Sequence, residues 1–321
     1  MRTRRLGRTG LEVSVVSLGS WLTYGGSVGE DEAVACIRRA FELGVNLFDT
    51  ANVYERGGAE EVLGRALGPL PRERYLVATK VFGEMGPGPT DRGLGERHVR
   101  AQCDASLRRL GVDMIDLYQC HRYDPDTPLE ETCRVMDELV RAGKIRHWGV
   151  SEWRPAEMDA AVTLCEAEGL APPATDQPRY SMLERANEVD VLPACARLAL
   201  GVLAFSPLAQ GVLTGKYRSP ADVPAGSRAA TRSGSGFVAR FLTPEHLARV
   251  ERLRPIAEDL GVPLARLAIA WTLRRPEITT AIVGASHVAQ VDENVLAAEL
   301  ELEETTLSRI EEALGWPVPA R

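Results

Sequence analysis

The chain alternates short apolar segments with helical patterns along almost its whole length. The apolar segments do not show the strict alternation of apolar and polar residues, as expected for strands of a parallel sheet that is covered on both faces. Eight segments of this kind centre on Val15–Leu18, Asn46–Phe48, Tyr75–Thr79, Ile115–Cys120, Trp148–Val150, Thr175, Val202–Phe205 and Thr280. Eight strands separated by helices predict an α/β fold, the (β/α)8 TIM barrel.

Helical patterns fill the intervals between the apolar segments. In Asp31–Leu43 the apolar side chains recur at helical spacing, and Arg38 and Arg39 fall on the opposite face. The same pattern is found in His98–Leu110, Leu129–Arg141 and Pro155–Glu168. These intervals are therefore predicted to be amphipathic helices that cover the outside of the barrel.

Three segments do not follow the alternation. Thr3–Val13 is expected to form a hairpin that closes the barrel floor. Phe82–Glu96 and Ser206–Thr243 are long, rich in glycine and follow predicted strands, which places them at the C-terminal face where barrel active sites lie. No linker divides the chain, so a single domain over residues 1–321 is expected. The alternative is a doubly wound sheet, but its GxGxxG phosphate loop is missing.

Composition excludes several classes of function. The formal net charge is −7, which argues against a nucleic-acid-binding surface. The longest apolar run, Leu198–Phe205, is far shorter than the ~20 residues that span a bilayer. The six cysteines form no CxxC motif, so no metal site is predicted and a reducing compartment is favoured. We therefore expect a cytoplasmic protein that acts on a small molecule, with no membrane or nucleic-acid partner.

Polar residues follow three successive predicted strands. Asp49 ends the second strand and Tyr54 lies in the loop behind it, while Lys80 and His121 follow the third and fourth strands. The C-terminal ends of barrel strands meet at one mouth, so we expect these four side chains to converge there.

The four side chains would make a coherent acid–base site. A tyrosine has an unperturbed pKa of about 10, and a neighbouring ammonium is expected to lower it. Asp49 would keep Lys80 charged, and His121 would orient a carbonyl oxygen or relay a proton. This set provides a general acid and electrostatic stabilisation but no hydride, so a cofactor must supply the hydride. The competing hypothesis is a Schiff-base lysine at Lys80, although a paired carboxylate disfavours that role.

At these residues the sequence resembles the aldo-keto reductase superfamily over nearly its whole length. The segments that carry the resemblance are Asn46–Ala51 with Tyr54, Gly58–Gly64, Lys80, Ile115–His121, Gly149–Ser151, Ser206–Leu208 and Gly284–Ser286. Four further segments are most similar to the branch of potassium-channel β subunits and their bacterial relatives: Trp21–Gly26, Asp91–Leu94, Pro125–Pro128 and Gly215–Tyr217.

The resemblance implies a catalytic tetrad of Asp49, Tyr54, Lys80 and His121, with Tyr54 as the acid. It also implies NADPH (NADP+) bound across the barrel mouth without a Rossmann fold. At the nicotinamide, the resemblance implies Ser20, Trp21 and the nearby Asp49, with Phe205 stacked on the ring and Ser151 and Gln177 at the carboxamide. At the pyrophosphate it implies Ser206, Leu208, Gln210 and Lys216, with Arg228 further along the loop. At the adenosine it implies Gly284, Ser286, Gln290, Glu293 and Asn294.

The substrate pocket is expected to be lined by Trp21, Tyr24, Phe82, Tyr54 and His121. Two positions depart from the pattern of the relatives. Glu152 stands where many of them have asparagine, and Phe205 can stack but cannot donate a hydrogen bond. His121 stands where the channel subunits have asparagine, which favours an active reductase.

The expected function is NADPH-dependent reduction of an aldehyde or ketone, with the proton supplied by Tyr54. The alternative is a cofactor-sensing binding subunit with little turnover, and a Schiff-base aldolase using Lys80 comes third. The partner is a small carbonyl substrate, and the resemblance implies a homo-oligomer, a tetramer or larger. The sequence does not specify the substrate.

Overall fold

A closed barrel of eight parallel strands forms the centre of the molecule. The computed structural model describes residues 1–26, 28–231 and 234–315. In this part of the chain the strands are β1 (Thr3–Arg5), β2 (Glu12–Ser14), β3 (Val16–Gly19), β4 (Leu47–Asp49), β5 (Leu76–Val81), β6 (Ile115–Cys120), β7 (Ile145–Val150), β8 (Thr175–Asp176), β9 (Gly201–Phe205) and β10 (Ile278–Val283). Strands β3 to β10 follow one another around the barrel, and β10 closes it against β3. The predicted TIM barrel is confirmed.

Helices cover the outside of the barrel. They are α1 (Glu30–Glu42), α2 (Gly58–Leu67), α3 (Glu96–Leu110), α4 (Leu129–Arg141), α5 (Pro155–Glu168), α6 (Val191–Arg197), α7 (Ser235–Ala239), α8 (Pro244–Asp259), α9 (Leu264–Leu273), α10 (Val288–Val295) and α11 (Glu304–Leu314). All four helices expected from the periodicity are present, with boundaries within two residues of the prediction. Within the described ranges, none of the helices combines the length and apolar character needed to traverse a bilayer.

The N-terminal hairpin closes the floor of the barrel, as predicted. Strands β1 and β2 pair antiparallel, and Leu6 between them is buried against residues of the barrel interior. The Arg4 guanidinium donates hydrogen bonds to the carbonyls of Leu273, Arg275 and Ile278, and so ties the hairpin to the entry of β10. The opposite end of the barrel is left for the loops.

Two long loops lie at the C-terminal ends of the strands, as expected. The loop between β5 and α3 is held by Asp91, which accepts a hydrogen bond from the Gly88 amide, and by Asp124, which accepts one from the Leu94 amide. The loop after β9 contains 3-10 turns at Ala209–Thr214 and Arg228–Ala230, followed by α7. Both loops therefore border the mouth of the barrel.

Candidate active site

A buried ion pair lies at the mouth of the barrel. Asp49 is the last residue of β4, and Lys80 is near the end of the neighbouring strand β5. The Lys80 Nζ donates hydrogen bonds to Asp49 Oδ1 at 2.6 Å and to the Thr50 carbonyl at 2.8 Å. The Lys80 side chain is fully buried, so its ammonium depends on these oxygens in place of water.

Tyr54 and His121 lie beside this ion pair. The Lys80 Nζ is 5.3 Å from the centroid of the Tyr54 ring. The His121 ring meets the Tyr54 ring edge to face, with 5.7 Å between centroids and 77° between planes. The structure thus brings together all four residues that were expected to converge.

Burial is the main influence on the pKa of Tyr54. The side chain keeps some solvent exposure, but its hydroxyl is surrounded by protein atoms, and this desolvation raises its pKa above the usual value of 10. The Asp49 carboxylate adds to this increase, and Arg122 opposes it. The expectation that an ammonium would lower the pKa of Tyr54 is wrong for the protein alone. The Lys80 charge is balanced by Asp49 at 2.6 Å, so desolvation is the larger effect.

The other two tetrad groups also respond to burial. Desolvation lowers the pKa of Lys80, while the Asp49 carboxylate opposes that change. The pKa of His121 lies well below its usual range because the ring is desolvated and because Lys80 and Arg122 are nearby cations. His121 is therefore a neutral imidazole at neutral pH, able to donate or accept one hydrogen bond at each ring nitrogen.

Two glutamines and a serine support Asp49. The side-chain amide of Gln177 donates a hydrogen bond to Asp49 Oδ2 at 2.9 Å, and the side-chain amide of Gln119 lies 3.5 Å from the same oxygen. The Ser151 hydroxyl donates to the Gln177 carbonyl at 2.8 Å. Of the two residues implied for the nicotinamide carboxamide, Gln177 therefore already binds the Asp49 carboxylate.

Strained backbone is concentrated around the site. In the described residues, every non-glycine residue with a positive φ except Ala199 lies within two residues of a predicted site residue. These are Leu22, Glu55, Arg56, Glu152, Ser206, Ala209 and Gln210. Such conformations cost on the order of 1–3 kcal/mol each and cluster at functional sites.

Residues of the loop after β9 form a hydrogen-bonded chain. The Arg228 guanidinium donates to the Gln210 side-chain carbonyl, and the Gln210 amide donates to the Ser206 hydroxyl. Lys216 is exposed and lies near the backbone of Gly211. Leu208 is partly buried against the core. The structure thus gathers the residues that were expected at the pyrophosphate.

Trp21 joins this loop to the first strand of the barrel. The Phe237 ring of α7 meets the Trp21 ring edge to face, with 4.7 Å between centroids. The Arg228 guanidinium carbon lies 5.5 Å from the centroid of the same Trp21 ring. Ser20, the preceding residue, donates a hydrogen bond to the Thr50 hydroxyl at 2.8 Å. Loop and mouth are therefore in direct contact.

The residues implied for the adenosine lie at and just before α10. Gln290 accepts hydrogen bonds from the Ser286 amide at 2.9 Å and from the Ser286 hydroxyl at 3.2 Å. Asn294 is buried, with its amide 3.5 Å from the Gly284 carbonyl. Glu293 forms a two-point ion pair with Arg266 at 2.7 and 2.8 Å.

The start of α10 already has an acidic neighbour. Glu32 of α1 accepts a hydrogen bond from the Val288 amide at 3.2 Å. A carboxylate is favoured at a helix N-terminus for the same reason as a phosphate. The Glu32 carboxylate therefore already provides part of the negative charge that this helix N-terminus attracts.

The aromatic residues of the expected substrate pocket have different positions. Phe82 directly follows β5 and is partly buried at the mouth. Tyr24 is only 1% exposed and belongs to the hydrophobic core, where its hydroxyl interacts with Cys36 of α1. The structure does not bring Tyr24 to the mouth. The left-handed residue Leu22 turns the chain between Trp21 and Tyr24.

Sequence reasoning missed two arginines and a glutamine at this site. Arg122, next to His121, lies close enough to influence the pKa of Tyr54, Lys80 and His121. The Arg179 guanidinium carbon lies 5.1 Å from the centroid of the Phe205 ring. Gln119 lies on β6, two residues before His121. Because side chains alternate between the two faces of a strand, the sequence alone could have placed Gln119 and His121 on the same face.

Fold and site together define a barrel protein whose mouth holds a phenol, an ammonium, a carboxylate and an imidazole. A model of the aldo/keto reductase family matches residues 15–314. The chain therefore belongs to the aldo/keto reductase family, which confirms the resemblance seen in its motifs.

Three relatives show the branch of the family that this chain resembles. A probable voltage-gated potassium channel subunit beta of Arabidopsis thaliana is 39% identical over 303 residues, 94% of this chain and 92% of the relative. A putative voltage-gated potassium channel subunit beta of Schizosaccharomyces pombe is 40% identical over 323 aligned residues, 98% and 93% of the two chains. A probable subunit of the same kind from Oryza sativa subsp. japonica is 40% identical over 303 residues, 94% and 92% of the two chains.

Proposed function

We propose that the protein reduces an aldehyde or ketone to an alcohol with NADPH as the cofactor and Tyr54 as the proton donor. The observation that carries this proposal is the meeting of Tyr54, His121 and the buried Asp49–Lys80 pair at one point of the barrel mouth. The family membership supports an oxidoreductase activity.

Each of these side chains has a separate role in the proposed reaction. Tyr54 is protonated at neutral pH, because the ordinary tyrosine pKa of about 10 is already well above 7 and burial raises it further, so it has a proton to give to a carbonyl oxygen. Lys80, held by Asp49, stabilises negative charge that develops on that oxygen or on the phenol. His121 is neutral and offers a hydrogen bond that orients the carbonyl. NADPH, when bound, supplies the hydride for the carbonyl carbon.

The loop after β9 supports binding of an anionic cofactor. Desolvation lowers the pKa of Arg228, and in the described part of the chain no carboxylate lies within 4.0 Å of its guanidinium. A desolvated cation without a carboxylate is stabilised by a bound anion such as a phosphate. Ser206, Ala209 and Gln210 of the same loop have left-handed backbone conformations, which can turn backbone amides towards a bound anion. We assign Arg228, Ser206 and Gln210 to the phosphates and Ser286 and Gln290 to the adenosine end.

Replacement of Tyr54 by phenylalanine tests this function. With 4-nitrobenzaldehyde, Tyr54→Phe should lower kcat by a factor of about 100 or more, because general acid catalysis contributes on that order. The NADPH dissociation constant, measured by quenching of protein fluorescence, should change little. Tyr75→Phe is the matched control, since Tyr75 precedes β5 at the other end of the barrel. Equal turnover by parent and Tyr54→Phe would remove Tyr54 from the mechanism.

The names of the relatives support a second candidate function. All three are described as potassium channel β subunits, so a cofactor-sensing subunit with little turnover is the alternative. The presence of His121 favours the reductase, because an imidazole can orient a carbonyl. Mixing protein and NADPH with excess aldehyde distinguishes the two: a sensor oxidises at most one equivalent, whereas a reductase continues. The third possibility, an aldolase, predicts borohydride trapping of a carbonyl substrate on Lys80 without nicotinamide.

Three further proposals concern cofactor choice, assembly and location. We propose NADPH rather than NADH because Lys216, Arg228 and Ser286 would surround an additional phosphate. Dissociation constants for both nicotinamides test this choice. We also propose a homo-oligomer, a tetramer or larger, and a cytoplasmic location. Light scattering of the purified protein tests the oligomer, and fractionation of the source cells tests the location.

A further inference from the structure

Arg122 occupies the rim of the catalytic site between β6 and β7. Its Nη1 donates a hydrogen bond to the carbonyl of the adjacent residue His121 and lies 3.5 Å from the Ser151 hydroxyl. The side chain is partly buried, and its charge reaches Tyr54, Lys80 and His121 strongly enough to shift the pKa of each. Arg122 therefore lies next to the place where a carbonyl substrate would react.

The charge of Arg122 is not balanced by a nearby carboxylate. Across the described ranges no carboxylate oxygen lies within 4.0 Å of this guanidinium, and the contacts found use only Nη1. Two other arginines with little solvent exposure are paired with carboxylates. Arg109 binds Glu60 at 2.6 Å, and Arg185 binds Glu188 at 2.9 Å. By contrast, Arg122 has three N–H donors, one at Nε and two at Nη2, without a protein partner in this part of the chain.

The surroundings of Arg122 make this arrangement unfavourable in the absence of an anion. Lys80 is a second cation at the site, and its charge is already balanced by Asp49. Arg179 is a third cation near the site, and its Nε is buried without a hydrogen-bond partner among the described residues. Desolvation lowers the pKa of Arg179, Glu152 and Glu184 oppose that change, and repulsion from Arg240 and Arg122 adds to it. Arg122 and Arg179 thus lie close enough to repel each other, and among the described residues neither has a carboxylate oxygen within 4.0 Å of its guanidinium.

We propose that Arg122, aided by Arg179, binds an anionic group of the substrate, so that the preferred substrates are aldehydes or ketones that carry a carboxylate or a phosphate. The proposal rests on the proposed reductase function. The planar guanidinium matches either anion through two parallel hydrogen bonds, and it would hold the substrate with its carbonyl towards Tyr54 and His121. Neutral carbonyl compounds of the same shape would lack this anchor.

A matched pair of substrates tests the inference. 4-Carboxybenzaldehyde and its neutral methyl ester, methyl 4-formylbenzoate, have the same reacting group and differ in the remote charge. The parent protein should show a kcat/KM at least ~10-fold higher for the acid, because a site built for a polar group rejects an analogue that lacks it. A 4-phosphonooxybenzaldehyde arm shows which of the two anions is preferred.

The variants are compared by the ratio of kcat/KM for acid and ester. Arg122→Gln should lower this ratio ~10-fold or more, whereas Arg122→Lys should retain part of it because the charge remains. The ratio cancels any general loss that reaches both substrates through His121. Arg134→Gln, which removes an exposed charge paired with Glu168 between α4 and α5, is the control and should leave the ratio unchanged.

Three results would overturn the inference. The first is a parent protein that shows no preference for either anion over the ester. The second is an unchanged ratio in Arg122→Gln. The third is an NADPH dissociation constant that rises in Arg122→Gln by as much as the kcat/KM for the acid falls, which would assign Arg122 to the cofactor.

A protein that reduces neither aldehyde would instead contradict the proposed function. The anion site is then tested by saturation-transfer NMR, with benzoate and benzamide as probes. Benzoate should bind the parent more tightly than Arg122→Gln, and benzamide should bind both equally. Equal binding of benzoate to the two proteins would contradict the anion site on its own.

Discussion

At the scale of the residue, burial decides the chemistry of the site. Lys80 is fully buried and Asp49 nearly so, and each provides the other with a counter-charge at 2.6 Å. Taking either charge out of water alone costs several kcal/mol, so the pair persists because both members are present. Charge neutralisation within the pair also explains why Lys80 does not lower the pKa of Tyr54, and desolvation remains the larger effect.

The first prediction concerns this pair. Asp49→Asn and Lys80→Met should each lower the free energy of unfolding by about 3–5 kcal/mol, because each leaves an uncompensated buried charge. The double variant should cost less than the sum of the two by at least ~1 kcal/mol. Urea unfolding measures all three. Arg134→Gln, from an exposed ion pair, is the control, with an expected effect below about 1 kcal/mol. Additive effects in the cycle would contradict the coupling.

The second prediction concerns the pH dependence of reduction. The pKa of His121 lies well below its ordinary value, so the ring is uncharged at every pH above about 6.5. The pKa of Tyr54 is raised, so the phenol stays protonated there. The kcat for carbonyl reduction should therefore stay constant between about pH 6.5 and 8. A titration near pH 6.5 that disappears in His121→Asn would show that the imidazole becomes protonated in that range.

The tetrad could be predicted from the sequence because it lies next to the strands. Asp49, Lys80 and His121 follow recognisable apolar segments, and barrel geometry brings the ends of those segments together. The direction of the pKa shift of Tyr54 could not be predicted, since it depends on how many atoms surround its hydroxyl. The position of Tyr24 could not be predicted either, because a left-handed turn at Leu22 redirects the chain.

At the scale of the element, α2 and α3 hold the turn that carries Tyr54. Gly57 ends this turn with a φ of +100°, and a Cβ there would meet the Arg109 side chain at 2.7 Å. Arg109 of α3 pairs with the buried Glu60 of α2, which also accepts a hydrogen bond from Thr79 of β5 at 2.6 Å. Lys80 is the next residue of β5. The packing of two helices thus fixes both Tyr54 and Lys80.

The third prediction tests that packing. A Cβ at Gly64 would lie 2.6 Å from the Leu110 carbonyl oxygen, which is backbone and cannot rotate away. Gly64→Ala should therefore push α2 from α3 and lower the free energy of unfolding by about 1–3 kcal/mol. It should also lower kcat, since the Tyr54 turn moves with α2. Gly236→Ala in α7, where a Cβ meets nothing within 4 Å, is the control and should be neutral or slightly stabilising. Equal stability of the two variants would contradict the close approach.

The helices of the outer layer could be predicted from periodicity, but their contacts could not. The spacing of apolar residues shows which face of α3 is buried, whereas the approach of α2 depends on a glycine whose role appears only in three dimensions. The same holds for α7. Phe237 and Trp21 are far apart in sequence, and no pattern links them, yet their rings are 4.7 Å apart. Contacts between residues so far apart in sequence cannot be predicted from local sequence patterns.

At the scale of the whole molecule, the two ends of the barrel have different roles. The floor holds the hairpin and the buried Leu6, and the mouth holds the tetrad and the long loops. This division could be predicted from the sequence, because the hairpin precedes the first strand of the barrel and the glycine-rich loops follow later strands. That residues 1–321 form one domain stays a prediction. Changes at the floor are therefore expected to alter stability without altering catalysis.

The last prediction uses this separation. Leu6→Ala removes a fully buried side chain from the floor and should lower the free energy of unfolding by about 2–5 kcal/mol. The KM for the aldehyde should not change, because the nearest catalytic residue lies at the far end of its strand. Leu296→Ala, at a position that is 48% exposed, should alter stability by less than about 1 kcal/mol. Urea unfolding and steady-state kinetics on both variants measure the two effects. If Leu6→Ala raised KM in proportion to its loss of stability, floor and mouth would be mechanically coupled, and the arrangement of the tetrad would depend on the hairpin as well as on its own strands.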